Sequence, residues 1–443
     1  MEIVSDLKLK KKGNFSQSIT LKAVLIAFMT LLMLGPEGMI RDLIQERQYR
    51  SLETIEKIND KWSQSQTLCG PILSIQYSEP VTDENKKVTY MQHFLHITPE
   101  DLNIETKLLP EERHYGIYKT ILYNSEISIT GNFLSTDFLK FDSDAIVSWD
   151  KVFMTMGFTD LRGITDNLVI SFNGKPYTAE VGGVANMDNS LVVNPEIPSD
   201  IKPGEMLSFS CKLKLKGSSS IHFIPVGKTS MVHLTGDWKS PSYIGNFSPD
   251  INQAEEGIDA TWGIMRFNRN IPEIWKDGAF NDYESSSFGV RLVDPVDHYQ
   301  QNMRSAKYAL LFIILTFVVF FFIELLTKKR IHPIQYLLVA VALLLFYTLL
   351  LSISEQVGFG WAYLTASTAT IGLITFYSHS IFKDKVQTGI MAFTLLALYI
   401  FLYTVLQLED IALLIGSIGL FTALAIVMYI SRKIAWYKQE ETD

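Results

Sequence analysis

The sequence predicts a membrane protein of the α+β class, in which six transmembrane helices hold a large β-rich, sandwich-like domain between the first helix and the second. Three observations lead to this prediction. Charged residues make up 19% of the 443 residues, below the roughly 25% that is usual for soluble domains. The apolar residues crowd into one block near the N-terminus and several blocks after residue 307. The long region between them alternates apolar and polar residues, as half-buried strands do.

These patterns divide the chain into five regions. Residues 1–18 form a basic tail, and residues 19–38 form the first transmembrane helix. Residues 39–305 form an external domain, residues 306–431 a bundle of five transmembrane helices, and residues 432–443 a second tail. Each apolar run is about 19 to 25 residues long, which at about 1.5 Å per residue is enough to cross a hydrocarbon core of about 30 Å.

Lysine and arginine give the predicted helices a direction. The five C-terminal helices are expected at about Tyr308–Leu326, Tyr336–Ser354, Gly358–Phe382, Thr388–Leu406 and Ile411–Ile430. Basic residues follow the second, fourth and sixth helices of the chain, whereas the intervening loops "EQV" and "QLED" contain none. Cytoplasmic loops retain positive residues. We therefore expect a multi-pass membrane protein with both termini in the cytoplasm and residues 41–305 on the far side of the membrane.

The external domain is expected to begin with a stalk helix and to continue as mostly antiparallel β-structure. Apolar residues recur three or four positions apart over residues 39–63, which is typical of an amphipathic helix. The segment "LSFSCKLKLK" alternates strictly and predicts a half-buried strand with Cys211 on its inner face. Asn173-Gly174 between two extended runs predicts a hairpin. Prolines cluster at residues 194–203, where the domain could divide in two.

Composition and motifs argue against several functions. The net charge of −8 argues against a nucleic-acid partner. Two cysteines, Cys69 and Cys211, are too few for a disulfide scaffold, and whether they pair is left open. The chain lacks the G-x-S-x-G, H-E-x-x-H and P-loop motifs. His93 and His96, three apart in a predicted strand, point to opposite faces and are poor joint metal ligands. We expect no catalytic residue, metal or cofactor.

Four polar residues of the predicted bundle form the first candidate site. Glu324, His332, Gln335 and His379 all fall near the cytoplasmic ends of their helices. Ionisable groups are costly inside a membrane, so they indicate function unless they pair with one another. A structural contact of Glu324 with His332 or His379 is one interpretation, and a proton or ligand site is the other.

An aromatic stretch of the external domain, "DATWGIMRFNRNIPEIW", gives the second candidate site. Trp262, Phe267 and Trp275 could line a groove in which Arg266 and Arg269 act as hydrogen-bond donors. Contact with lipid or cell wall is the functional interpretation, and packing in the core is the alternative.

Several segments resemble one known family along nearly the whole chain. They include "GPEGMIRDLIQERQYR" at the first helix, "DWKSPSYIGNFSP" in the external domain, "DPVDHYQ" before the second helix and "HPIQY" at the third. These segments closely resemble the CreD family of inner-membrane proteins. The resemblance implies a location in the bacterial inner membrane, with residues 41–305 in the periplasm, and a role in envelope integrity and stress response. It implies no catalytic or ligand-binding residue.

Three hypotheses of function follow. The preferred one is a non-enzymatic protein whose periplasmic domain binds or senses an envelope component, with the lipid bilayer and an envelope protein, lipid or cell-wall polymer as partners. The second is a transporter or flippase-like carrier that uses the C-terminal bundle. The third is a membrane-bound enzyme acting on lipid or cell wall. The sequence does not indicate an oligomeric state.

Overall fold

A computed structural model of the chain provides the structure. It describes residues 19–82, 87–141, 144–185, 187, 189–198, 201–252, 257–293, 298–327, 331–408 and 411–432. The two predicted tails, apart from Arg432, and the Asp294–Asp297 motif lie outside these ranges. The chain forms two compact units. We call Met1–Ser51 with Val296–Asp443 the membrane unit, and Leu52–Pro295 the β domain.

The membrane unit is built from helices. They are α1 (Ile19–Leu32), α2 (Leu34–Trp62), α3 (His298–Lys307), α4 (Ala309–Thr327), α5 (Pro333–Val357), α6 (Phe359–Phe382), α7 (Lys385–Gln407) and α8 (Ala412–Ser431). The second part of α2 belongs to the β domain, because the boundary between the units falls after Ser51. Helix α2 thus contains both the last residues of the predicted first transmembrane helix, 34–38, and residues 39–62 of the predicted stalk helix.

Several helices of this unit are suited to cross a membrane. Among the described residues, five have the required length and apolarity: Leu21–Trp62, Ala309–Thr327, Pro333–Val357, Lys385–Gln407 and Leu414–Ser431. Helix α6 has 24 residues, which is long enough, but "TASTAT" and other polar residues make it less apolar. It nevertheless packs between α5 and α7. The protein is thus a membrane protein with several apolar helices and a large β-rich domain.

The β domain contains seventeen strands among its described residues. They are β1 (Gln66–Thr82), β2 (Val88–Ile97), β3 (Asp101–Tyr115), β4 (Tyr118–Leu134), β5 (Ile146–Phe158), β6 (Val169–Phe172), β7 (Lys175–Thr178), β8 (Glu180–Val181), β9 (Ser190–Val193), β10 (Met206–Ser218), β11 (Ser220–Ile224), β12 (Thr229–Gly236), β13 (Pro241–Gly245), β14 (Asp250–Ile251), β15 (Ile258–Met265), β16 (Ile274–Lys276) and β17 (Phe288–Leu292).

These strands form two sheets that enclose one core. The first sheet has nine strands, with β13-β17-β11-β1-β5-β9-β8 in order; off this path, β2 pairs with β1, and β16 pairs with β2. The second has eight, in the order β14-β15-β12-β3-β4-β10-β6-β7. Most neighbours are antiparallel, but β1 is parallel to β11 and β3 is parallel to β12. A single apolar cluster contains residues from before and after the prolines at 194–203, so the domain does not divide there.

The local patterns gave the right elements where they were strongest. Every second residue of β10 from Leu207 to Leu215 is buried. Asn173-Gly174 joins β6 to β7, and Asn173 has the positive φ of 47° that such a turn requires. Cys69 in β1 and Cys211 in β10 are both free and buried. Burial raises the pKa of both thiols, that of Cys211 to about 12, so neither is expected to react readily.

Candidate functional site

The carboxylate of Glu324 is the centre of the first candidate site. Glu324 lies one turn before the end of α4 and is only 4% exposed. Its Oε1 accepts hydrogen bonds from the ammonium of Lys22 and from the backbone N–H of Ile331 at 3.1 Å. Its Oε2 accepts one from the hydroxyl of Tyr336 at 3.1 Å. Three donors therefore satisfy a buried charge that would otherwise be costly.

The first turn of α5 places two of these donors. His332 is the N-cap: its Nδ1 accepts from the N–H of Ile334 at 3.3 Å. Gln335 completes a capping box, because its Oε1 accepts from the N–H of His332 at 2.9 Å. Pro333 fits the first helical position, where no N–H is needed. His332 and Gln335 thus fix the start of α5, which brings Ile331 and Tyr336 to Glu324.

A cavity of about 370 Å³ lies beside the ion pair. Its lining residues are Leu21, Lys22, Leu25, Ile26, Glu324, Ile331, His332, Pro333 and Tyr336. Two of the four predicted residues, Glu324 and His332, therefore share it. Gln335 acts on the cap, and His379 lies elsewhere, with its Nδ1 3.4 Å from the hydroxyl of Thr388. We call this cavity the α1–α5 cavity.

The sequence did not assign the partner of Glu324 correctly. The structural interpretation paired Glu324 with His332 or His379, whereas Lys22 and Tyr336 take that place. Lys22 lies inside the predicted first transmembrane helix, just before its apolar core. The available signal was its position inside α1, three residues after the helix begins. A lysine there needs a partner or an exit to the interface.

The second candidate set does not form one aromatic groove. Trp262 and Trp275 are buried, at 1% and 6% exposed, and belong to the core. Phe267 is 83% exposed, and the guanidinium of Arg266 stacks on its ring at 4.8 Å. Arg269 is buried and donates to the carbonyl of Gly227 at 2.9 Å. Burial lowers the pKa of Arg269 to about 10.

A buried lysine lies close to this segment. Lys228, 8% exposed, donates to Asp137 and to Glu100, each at 2.7 Å. Burial alone would lower the pKa of Lys228, but these two hydrogen bonds outweigh it and the pKa lies above its ordinary value. Burial would likewise raise the pKa of Asp137, but hydrogen bonds from Lys140 and Lys228 hold it below its ordinary value. The cluster is charge-balanced and closed, as expected of a structural group.

The outward face of the eight-stranded sheet contains an open polar groove of about 460 Å³. We call it the sheet groove. Its lining residues are Glu105, Thr106, Lys107, Glu126, Ile127, Ser128, Asp166, Lys212, Leu213, Lys214, His233 and Thr235. The strand register places the lining side chains in rows that run across β12, β3, β4 and β10. In one of these rows, Glu126 lies opposite both Lys107 and Lys214. A second depression of about 390 Å³, lined by Asn103, Thr130 and Ser210 among others, lies farther along the same strands.

Several charged residues of the sheet groove are available to a ligand. Within the described part of the chain, Glu105, Lys107, Glu126 and Lys212 form no salt bridge. Lys214 and Asp166 are 3.6 Å apart and each 61% exposed, so their pair is open to water. No group of three or more His, Cys, Asp or Glu among the described residues could hold a metal ion. The groove therefore offers hydroxyls and charges of both signs.

The interior of the membrane unit holds polar atoms that have no partner among the described residues. They include Asn302 Oδ1, Ser305 Oγ, Thr316 Oγ1 and Tyr347 Oη. Asn302 does donate from Nδ2 to the hydroxyl of Ser354 at 2.8 Å. Polar groups that face the inside of a bundle are typical of helices surrounded by lipid.

Comparison with known proteins points to one family. The family described as "Inner membrane protein CreD" matches residues 18–437. The inner membrane protein CreD of Escherichia coli (strain K12) is 33% identical over 413 residues, which cover 92% of this chain and 91% of that protein. A crystal structure of a mutant M1 zinc metallopeptidase from Deinococcus radiodurans covers 38% of each chain at 10% identity, with a TM-score of 0.18. This last likeness is too low to carry an argument.

Proposed function

This chain belongs to the CreD family of inner membrane proteins, and from that premise we propose that it is a non-enzymatic protein of envelope integrity and stress response. In this proposal the β domain lies in the periplasm and binds or senses an envelope component. The membrane unit anchors it with six helices, α6 included, and both termini are cytoplasmic.

The sheet groove is the observation that carries this proposal. Rows across the strands mix the two signs: Lys107, Glu126 and Lys214 lie in one row, and Glu105, Ser128 and Lys212 lie in the next. A cell-wall polymer presents sugar hydroxyls, free carboxylates and amines, each of which finds a complementary group in this lining. An open groove along a sheet also suits an extended polymer better than a compact metabolite, which needs an enclosed pocket.

Co-sedimentation tests the binding directly. The full-length protein in nanodiscs is mixed with isolated peptidoglycan sacculi, and the bound fraction is measured. We expect the wild type to sediment and the Lys107→Glu, Lys212→Glu double variant to lose most binding, because two of the three lysines that line the groove become acidic. Lys151→Glu, at an exposed position of β5 in the other sheet, is the matched control. No sedimentation of the wild type, together with unchanged stress tolerance in a deletion strain, would count against the proposal.

The orientation is tested by labelling a cysteine placed in the sheet groove. Glu126 is exposed, so Glu126→Cys should react with a membrane-impermeant maleimide added to intact spheroplasts. The native Cys69 and Cys211 are buried with raised thiol pKa values, so they should contribute little background. Labelling of Glu126→Cys only after the membrane is broken would place the β domain in the cytoplasm and overturn the proposed orientation.

A carrier function of the C-terminal helices is the second candidate. The unpartnered polar atoms of the membrane unit favour it, because a polar interior can conduct a polar solute. Substrate flux into proteoliposomes, tested with a panel of envelope precursors, should fall in Glu324→Gln and in His379→Ala. Absence of any flux in the wild type removes the carrier hypothesis. If the wild type shows flux that neither Glu324→Gln nor His379→Ala reduces, these two residues take no part in transport.

A further inference from the structure

We propose that the α1–α5 cavity binds one acidic phospholipid, with Lys22 and His332 holding its phosphate and the apolar wall holding an acyl chain. This inference is independent of what the β domain binds. It rests on the hydrogen-bonding capacity left at the cavity, on the chemistry of its wall and on its size.

The ammonium of Lys22 has donors to spare. A lysine ammonium carries three N–H groups, and the only partner that the structure gives it among the described residues is Glu324. The side chain is 30% exposed and lines the cavity, whereas the Glu324 side chain is 4% exposed. Two N–H groups of Lys22 therefore remain for a ligand. Glu324 acts as a positioning residue, because it holds the ammonium at the mouth of the cavity.

The imidazole of His332 offers a second donor. Its Nδ1 is already an acceptor, since it receives the N–H of Ile334 at 3.3 Å. The neutral ring then carries its proton on Nε2. His332 lines the same cavity as Lys22. Lys22 and His332 both present donors, so a ligand that they hold must supply acceptors, and a phosphate diester with negative charge supplies them best.

The Glu324 carboxylate already accepts three hydrogen bonds. Lys22 and Ile331 donate to its Oε1, and Tyr336 donates to its Oε2. The ammonium group of a ligand such as an ethanolamine lipid would lie beside the positive ammonium of Lys22, which repels it. The cavity therefore favours a purely acidic headgroup over a zwitterionic one.

The rest of the wall is apolar and suits an acyl chain. Leu21, Leu25, Ile26 and Pro333 form it. A volume of about 370 Å³ is within the usual range for a small-molecule site of roughly 300–1,000 Å³. Free phosphate would leave this wall unused. Basic pockets between transmembrane helices are known recognition sites for acidic lipid headgroups, and this cavity has the same combination of groups.

Native mass spectrometry of the full-length protein in neutral detergent tests the inference. The probes are phosphatidylglycerol, phosphatidylethanolamine and sodium phosphate, each added at equal concentration. We expect one phosphatidylglycerol adduct on the wild type, with weaker retention of the other two. Lys22→Met should weaken that adduct by about 10- to 100-fold, the usual range for losing a charge-assisted hydrogen bond. Lys22→Arg should restore most of it.

His332→Asn separates the cap from the ligand contact. Asparagine is a good N-cap, so α5 should still begin correctly while the Nε2 donor is lost, and binding should fall several-fold. Lys385→Met, an exposed lysine at the start of α7, is the matched control and should leave binding unchanged. Thermal unfolding of each variant shows that the fold is retained, and the arginine and asparagine variants decide the matter if Lys22→Met fails to fold.

Three results would overturn the inference. Equal retention of phosphatidylglycerol and phosphatidylethanolamine would exclude selection of an acidic headgroup. Equal occupancy by sodium phosphate would reduce the cavity to a simple anion site. Loss of binding only when the sequence run Lys328-Lys329-Arg330 is replaced by glutamines, with Lys22→Met unaffected, would assign the effect to general attraction of acidic lipid to basic residues.

Discussion

The β domain and the membrane unit distribute polar and apolar side chains in opposite ways. In the β domain, Trp262 and Phe138 are almost fully buried, while the lysines of β10 face outward. In the membrane unit, Phe376 and Phe421 are 79% and 74% exposed, while polar Asn302 is 1% exposed. This contrast is expected if water surrounds the β domain and lipid surrounds the membrane unit. Functional groups should therefore be sought on the surface of the β domain but in the interior of the membrane unit.

Two lysines that pair with buried carboxylates sharpen this comparison. Lys228 in the β domain is 8% exposed and reaches two carboxylates at 2.7 Å. Lys22 in the membrane unit is 30% exposed and lies at a cavity. The first is enclosed by its partners, so its replacement should affect stability alone. The second has donors left over, so its replacement should affect binding.

The largest effect is expected from Lys228→Met. Removing this ammonium leaves Asp137 buried with one cation fewer, and breaking such a buried pair costs about 3–5 kcal/mol. Urea-dependent proteolysis of the full-length protein, read from the fragment of the β domain, measures the loss. Lys140→Met is the control, because Lys140 is 55% exposed and also pairs with Asp137. Loss of the Lys140 ammonium should lower the free energy of unfolding by only about 0–1 kcal/mol. If Lys228→Met and Lys140→Met lowered it equally, Lys228 would not be part of a closed, buried cluster.

A smaller effect is expected from the buried imidazole of His96. Burial lowers its pKa to about 4, even though nearby Asp277 acts to raise it. The unfolded chain takes up a proton at this residue near pH 6.5 and the folded domain only near pH 4, so acid favours unfolding between these values. The stability of the β domain should fall by about 3 kcal/mol as the pH drops from 6.5 to 4.

His96→Gln should remove most of this pH dependence. His222, whose pKa burial also lowers, should account for a residual slope of the same sign. His233→Gln serves as the control, because His233 is 39% exposed and faces the sheet groove. A stability that is flat from pH 4 to 6.5 in the wild type would show that His96 can be protonated in the folded domain.

The sequence predicted local features of both units better than contacts between distant segments. The alternation of β10 and the Asn173-Gly174 turn depend on neighbours in the chain, and both were confirmed. The parallel pairing of β1 with β11 depends on segments far apart. The contact of Lys22 with Glu324 joins residues 302 positions apart. No periodicity encodes such a contact.

The aromatic stretch around Trp262 illustrates a second limit of prediction from the sequence. Tryptophan and phenylalanine occur both in binding grooves and in packed cores. Only the burial of each side chain distinguishes the two cases, and the sequence does not give that burial. Trp262 donates its indole N–H to the carbonyl of Phe247 at 3.1 Å, which lets it lie wholly inside the core. Phe267, five residues later, is exposed because it lies on a short 3₁₀ turn beyond the end of β15.

The smallest expected effect tests whether the interior of the membrane unit is dry. Thr316 is fully buried on α4, and its hydroxyl has no partner among the described residues. Valine has the same shape without the hydroxyl, so Thr316→Val should stabilise a dry interior by about 1 kcal/mol. For a unit of this size that corresponds to a rise in Tm of about 2–4 °C, measurable by thermal unfolding in detergent.

Thr388→Val should have the opposite sign and provides the contrast. The Thr388 hydroxyl donates to the carbonyl of Asp384 at 2.8 Å and lies 3.4 Å from Nδ1 of His379. Losing these contacts should cost about 1 kcal/mol. If Thr316→Val instead lowers the Tm as Thr388→Val does, then the Thr316 hydroxyl has a water partner. The interior of the membrane unit would then be hydrated, and the carrier hypothesis would gain support at the expense of a purely anchoring bundle.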